Sequence, residues 1–141
     1  PEITVADLRA AEKKDGPFRP GEIVIFHTGH VDKHFKKLPS GSACFADPLA
    51  GKTEGWPAPG PAAIAYLAKK GIRCLATDAP MLGSAHPKAA LMTYWKLGTE
   101  NMVAVEYLRN VSALKKGAYF LFAPVKIKGC HGGPGRAIAL Y

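Results

Sequence analysis

The stretch that decides the fold is Pro59-Gly60-Pro61-Ala62-Ala63-Ile64-Ala65-Tyr66-Leu67-Ala68-Lys69-Lys70-Gly71-Ile72-Arg73-Cys74-Leu75-Ala76-Thr77-Asp78-Ala79-Pro80. Its first half predicts a helix over Pro59–Lys70. Proline sits in the first turn, Ala62, Ala63, Ala65, Tyr66 and Leu67 can form an apolar side, and Gly71 stands where a helix stops. Its second half, Ile72 to Asp78, is a short apolar run rich in strand formers that ends in an Asp-Ala-Pro turn. A helix joined to a strand through one residue is the rhythm of an α/β sheet with parallel members.

The same rhythm extends outward. Thr4-Val5-Ala6-Asp7 has the form of a capping box and opens a predicted helix over Val5–Lys14, closed by Asp15-Gly16-Pro17. Glu22 to Thr28 reads as a buried strand that runs out at Gly29. Residues 31–58 show no period and are rich in proline, glycine and lysine, so they read as one long irregular loop. Pro87–Leu97 predicts a helix and Asn101–Glu106 a short apolar strand. A turn over Leu108–Leu114 follows, then a strong strand over Ala118–Ile127. A glycine-rich loop over Gly129–Gly135 and a closing strand over Arg136–Tyr141 complete the chain. The length and the 48% apolar fraction suit a single domain, 1–141, with its own core.

Charge and cysteine usage exclude some classes. The net charge of +8 lies wholly in residues 51–141. The cations there are scattered without interleaved aromatics, which argues for a solvated face or an acidic neighbour rather than a nucleic-acid groove. No apolar run approaches the roughly 20 residues of a membrane span. Cys44, Cys74 and Cys130 form no CxxC pair and read as reduced thiols of a cytoplasmic protein. Pro1-Glu2-Ile3-Thr4 carries no signal-peptide pattern.

Three groups of residues carry chemistry. His27, His30 and His34 lie within eight residues, but their spacing on a strand end and the neighbouring Lys33, Lys36 and Lys37 argue against a metal site built from them alone. A pocket-lining strand-end histidine and plain loop histidines are the readings left open. Acids are scarce after Glu54: Asp78, Glu100 and Glu106 only. Asp78 and Glu106 each end an apolar strand, and α/β sites gather beyond the carboxyl ends of strands. The plainer readings are a local turn for Asp78 and a salt bridge to Arg109 for Glu106. The Gly129-Cys130-His131-Gly132-Gly133-Pro134-Gly135-Arg136 loop is either an anion cradle with Arg136 as a fork or a turn between strands. It is neither a Walker A loop nor a dinucleotide fingerprint.

Taken in order, these segments resemble the C-terminal part of the cyclase family of metal-dependent hydrolases, which includes kynurenine formamidases and isatin hydrolase-like enzymes. Gly21 to His30 resembles that family's Gly-Asp-(Ile/Val)-(Val/Leu)-Thr-Gly-Trp strand, with His30 in the tryptophan place. Gly71 to Asp78 resembles its Gly-(Ile/Val)-x-x-x-Gly-x-Asp strand. Glu106-Tyr107-Leu108-Arg109-Asn110 matches Glu-x-Leu-x-Asn. Pro124 to Ala139 matches its closing Pro-(Leu/Val)-Lys-Ile-x-Gly-x-x-Gly-x-Pro-x-Arg-Ala-x-Ala block, the most specific of the four.

The resemblance implies a swivelling β/β/α fold, a mixed sheet with flanking helices, and a metal-activated water that attacks an amide or lactone carbonyl. It implies Glu106 as a metal ligand. The family's histidine a dozen residues earlier falls near Tyr94, and His86 is the nearest histidine upstream and the second ligand candidate. The cofactor is a divalent cation, zinc or manganese. His30 and His131 are the catalytic candidates, and Thr28, Asp78 and Arg136 the substrate-binding ones. The family's His-x-Gly-Thr-His-x-Asp-x-Pro-x-His motif has no counterpart here. The resemblance therefore implies an oligomer in which an N-terminal cyclase-like partner chain supplies that motif for a small-molecule substrate, with no nucleic acid or membrane involved. The alternative is a non-catalytic structural or regulatory subunit with the same fold.

Overall fold

The computed structural model describes residues 1–141. They form two compact units, residues 1–109 and 110–141.

In the first unit, β1 (Glu2–Ile3) leads into α1 (Val5–Asp15). Thr4 caps that helix as its sequence predicts. The Asp7 N–H donates to Thr4 Oγ1 at 3.4 Å, and the Thr4 N–H donates back to Asp7 Oδ2 at 2.7 Å. A central sheet of three parallel strands follows, in the order β2 (Ile23–Phe26), β4 (Cys74–Thr77), β5 (Val103–Val105). The helices α4 (Pro61–Lys69) and α5 (Pro87–Thr99) precede β4 and β5 respectively. A short β3 (Ala58–Pro59) pairs in parallel with β1.

The helix stop at Gly71 is a Schellman motif. The Gly71 N–H donates to Ala68 O and the Ile72 N–H to Leu67 O. Gly71 has φ +83°, and a Cβ there would meet Pro20 at 2.9 Å, so both backbone and space demand glycine. The same turn buries Leu67 and Ile72 together in the core with Leu8, Ile64, Leu75, Leu82, Leu97 and Met102.

Three expectations are corrected. The buried side of α4 is Ala63, Ile64, Leu67 and Ala68, not one containing Ala62 and Ala65. Alanine-rich helices leave the apolar stripe ambiguous, and docking against the sheet selects it. The strands are shorter than their apolar runs, because pairing ends where the neighbouring strand ends. Residues 31–58 are not one irregular loop. They hold α2 (His30–His34), a 3₁₀ turn (Ser40–Cys44) and α3 (Ala46–Leu49). Helices of four or five residues are too short to display a 3.6-residue period.

The second unit opens with a 3₁₀ turn, Val111–Ala113, and consists mainly of an antiparallel hairpin, β6 (Tyr119–Pro124) with β7 (Gly135–Leu140). The Tyr141 hydroxyl accepts from the Lys115 N–H and donates to Ala113 O, tying the end of β7 to the start of the unit.

Candidate active-site edge

The parallel register places Phe26 beside Thr77, so the chain leaves β2 and β4 at the same edge. Beyond β2 come His27, Thr28 and Gly29, and beyond β4 comes Asp78. Asp78 is fully buried, and its carboxylate gathers the neighbouring turn. Oδ1 accepts from the Thr28 N–H and hydroxyl, both at 2.6 Å, and Oδ2 accepts from the Gly29 N–H at 2.7 Å. His27 Nε2 stands 3.8 Å from Oδ2. The Asp78 carboxylate thus serves the turn after another strand rather than its own Asp-Ala-Pro turn. Burying it is tolerable because three hydrogen bonds replace its water.

That turn launches α2 and seats His30. The His30 N–H donates to Thr28 Oγ1 at 3.1 Å, and ring Nε2 lies 2.8 Å from Cys44 O. A carbonyl can only accept, so Nε2 carries the hydrogen. The His30 ring lies 4.7 Å from that of His34 and meets Trp56 edge-on at 5.3 Å, while Phe45 stacks on Trp56 at 6.1 Å. Burial, His30 and the neighbouring Lys33 and Lys36 lower the pKa of His34 and keep it neutral more readily. Trp56 is completely buried and donates its indole N–H to Gly83 O at 2.7 Å.

Glu106 follows β5 at the same sheet edge. Its Oε1 accepts from the Leu82 N–H at 2.7 Å and from the Tyr94 hydroxyl at 2.5 Å. The expected alternative, a bridge from Glu106 to Arg109, is not made: Arg109 faces Asp32 at 3.5 Å instead. Burial, and then the Glu106 carboxylate, push the Tyr94 phenol well above the ordinary tyrosine range, so it remains a donor. The next residue, Tyr107, has φ +60°, a conformation a tyrosine rarely adopts. Its N–H donates to Ala79 O and that of Leu108 to Thr77 O, so the β4 exit holds the turn after Glu106 in place.

The structure therefore brings Thr28, His30 and Asp78 together, and sets Glu106 at the end of the adjoining strand with partners of its own. His86 lies elsewhere, as the N-cap residue of α5, on the wall of a cavity of about 440 Å³ with Trp56, Ala58, Pro59 and Thr93. Glu106 is not part of that wall. His131 and Arg136 belong to the second unit and are exposed.

These residues do not by themselves suit a resident metal ion. No three His, Cys, Asp or Glu side chains converge on one point. Oε1 of Glu106 is already taken by two donors. Sequence reasoning missed Trp56 as the centre of the aromatic cluster. A lone tryptophan between Gly55 and Pro57 has no pattern to mark it, and only its burial does.

A family model described as "Putative cyclase" matches residues 1–83, more than half of the chain. The chain belongs to the putative cyclase family. It is 33% identical to the isatin hydrolase of Roseibium aggregatum, over 98% of this chain and 52% of that protein. The chain thus spans about half the length of the curated relative it matches. An isatin hydrolase solved with the product analogue thioisatinate superimposes with a TM-score of 0.79 at 26% identity, over 99% of this chain and 52% of that one. Isatin hydrolase A from Ralstonia solanacearum gives 0.78 at 25%, over 98% and 52%. A potential metal-dependent hydrolase with cyclase activity gives 0.69 at 20%, over 98% and 57%, and shows the fold alone. The mixed α/β architecture, with parallel and antiparallel sheets and flanking helices, is that of cyclase-like hydrolases.

Proposed function

We propose that these 141 residues form the Glu106-bearing part of a metal-dependent hydrolase that cleaves a C–N or C–O bond in a small amide or lactone. The observation that carries the reading is the fixed position of Glu106. Two hydrogen bonds hold its Oε1 at the carboxyl edge of the parallel sheet, beside the Asp78–Thr28–Gly29 turn. Neither bond uses Oε2, the oxygen through which this carboxylate would reach a cation. Zinc or manganese is the cation we propose, with its remaining donors supplied from outside this stretch, by a partner chain or a further segment bearing the His-x-Gly-Thr-His-x-Asp motif. The relatives named for isatin hydrolysis favour a cyclic amide as substrate. We propose Thr28 and Asp78 as substrate-binding residues and His30 as a catalytic one, supported by the single turn in which Asp78 and Thr28 hold them together. His86 remains a second ligand candidate, and His131 and Arg136 remain catalytic and substrate-binding candidates carried by the second unit. Three free thiols suit a reducing cytoplasm.

A second reading has one specific observation in its favour. Tyr94 stands about where the resemblance expects a ligand histidine, and its hydroxyl occupies an oxygen of Glu106. In that reading the chain is a structural or regulatory subunit. Glu106→Gln in the native assembly separates the two. The enzyme reading expects turnover of isatin to fall on the order of 10–100-fold or more, with bound zinc or manganese reduced and the assembly's mass unchanged. Equal turnover and equal metal content in the variant would discard it.

A further inference from the structure

The second unit contains a surface that its own residues leave without a covering. In the β6–β7 register, Phe120 and Phe122 lie opposite Ala139 and Ala137 on one side of the hairpin and are half-buried. The other side carries the cross-strand pairs Tyr119–Leu140 and Leu121–Ile138. These four residues are between 40% and 68% exposed. An outward hairpin face is ordinarily polar, and an isolated two-stranded ribbon is marginal in water. Here both faces are apolar, and β6 and β7 pair with each other alone, so each keeps an open edge. An uncovered apolar face beside unpaired strand edges calls for a covering element.

Charge says what kind of covering. Residues 110–141 contain Lys115, Lys116, Lys126, Lys128 and Arg136 and not one Asp or Glu. A second copy of this chain would set these five cations against five more, which opposes self-pairing. A polypeptide with an apolar strand face and acidic flanks would satisfy both the hydrophobic face and the cations. The isatin hydrolase relative contains further polypeptide, since about half of it has no counterpart in this chain.

We propose that the Tyr119–Leu121–Ile138–Leu140 face of the hairpin is the docking surface for an acidic polypeptide, which packs an apolar strand face against it and provides the part of the cyclase fold these residues do not include. This rests on the reading above that further chain completes the protein, but it concerns how that chain is held rather than what the assembly catalyses.

The test mixes this chain with the unmatched half of the Roseibium aggregatum isatin hydrolase, expressed separately, and measures association by calorimetry at about 50 and about 500 mM salt. The proposal expects a one-to-one complex that weakens with salt. It should also weaken on the order of tenfold or more in Leu121→Lys/Ile138→Lys and in Lys126→Glu/Lys128→Glu. The second variant leaves the apolar face intact, so it decides the matter if the first fails to fold. A complex indifferent to the charge variant overturns the proposal, as does no complex at all. Self-association of the free chain through this face, or salt-resistant binding of duplex DNA lost in the charge variant, also overturns it. Isatin turnover by the complex is read separately. A hairpin-dependent complex without turnover keeps the docking surface and removes the hydrolase reading, and a hairpin-independent complex with turnover does the reverse.

Discussion

At the scale of single residues, the fold's most consequential side chain is Asp78. Its position at the end of an apolar run marked it as a site candidate, but nothing local reveals that its partners are Thr28 and Gly29, about fifty residues away. Parallel pairing of β2 with β4 creates that meeting. Replacing Asp78 with Ala removes the carboxylate that accepts from two backbone N–H groups and a hydroxyl. We expect Asp78→Ala to lose about 3 kcal/mol in urea denaturation, from the missing charge-assisted bonds. A loss under about 0.5 kcal/mol, the level of an ordinary surface substitution, would mean that the turn holds without it. Glu106 teaches the same lesson. Its scarcity as an acid was readable in the sequence, whereas the bonds from Tyr94 and Leu82 that aim it depend on α5 and the β4 exit lying against β5.

At the scale of elements, α1 and α4 are joined by a polar clasp rather than by apolar packing alone. The Glu12 carboxylate accepts from the Tyr66 hydroxyl and pairs with Lys70 Nζ at 3.0 Å. It also accepts from the Phe18 N–H at 3.1 Å, so the same group fixes the exit from α1. The Tyr66 hydrogen bond, then that of Lys70, lowers the Glu12 pKa from 4.5 to about 2. A carboxyl group whose folded pKa is depressed binds protons more readily in the unfolded chain. The clasp therefore contributes fully above pH 4.5 and is lost as pH falls toward about 2. Chemical denaturation of the wild type and of Glu12→Gln should differ at neutral pH and converge over that acid range. A difference that persists unchanged down to pH 2 would show that the clasp acts by shape alone. The elements themselves were largely readable: the three long helices α1, α4 and α5 and the hairpin strands appear near their expected places, each carried by a cap, a proline or an apolar run. The short helices between residues 30 and 49 were not, since each is about one turn long and owes its shape to what it packs against.

At the scale of the molecule, the two units differ in how they are built. The first has a three-stranded parallel sheet with helices and a continuous core, and the second is a hairpin with a short turn. Hydrogen exchange on the free chain should find β4 amides protected to the level of global unfolding and those of β6 and β7 exchanging through cheaper local openings. Equal protection in both would contradict the view that the hairpin lacks its covering element. The sequence by itself determined the α/β alternation, the helix caps, the basic bias after residue 50 and the cyclase resemblance, because each rests on neighbours along the chain or on ordered motifs. Only the tertiary structure decided which carboxylate organises the Thr28 turn and that His86 lines a cavity whose wall does not include Glu106. It also selected the buried face of α4 and revealed the bare side of the hairpin. Those outcomes depend on which strands lie side by side, and strand adjacency joins residues from distant parts of the chain that no local spacing connects.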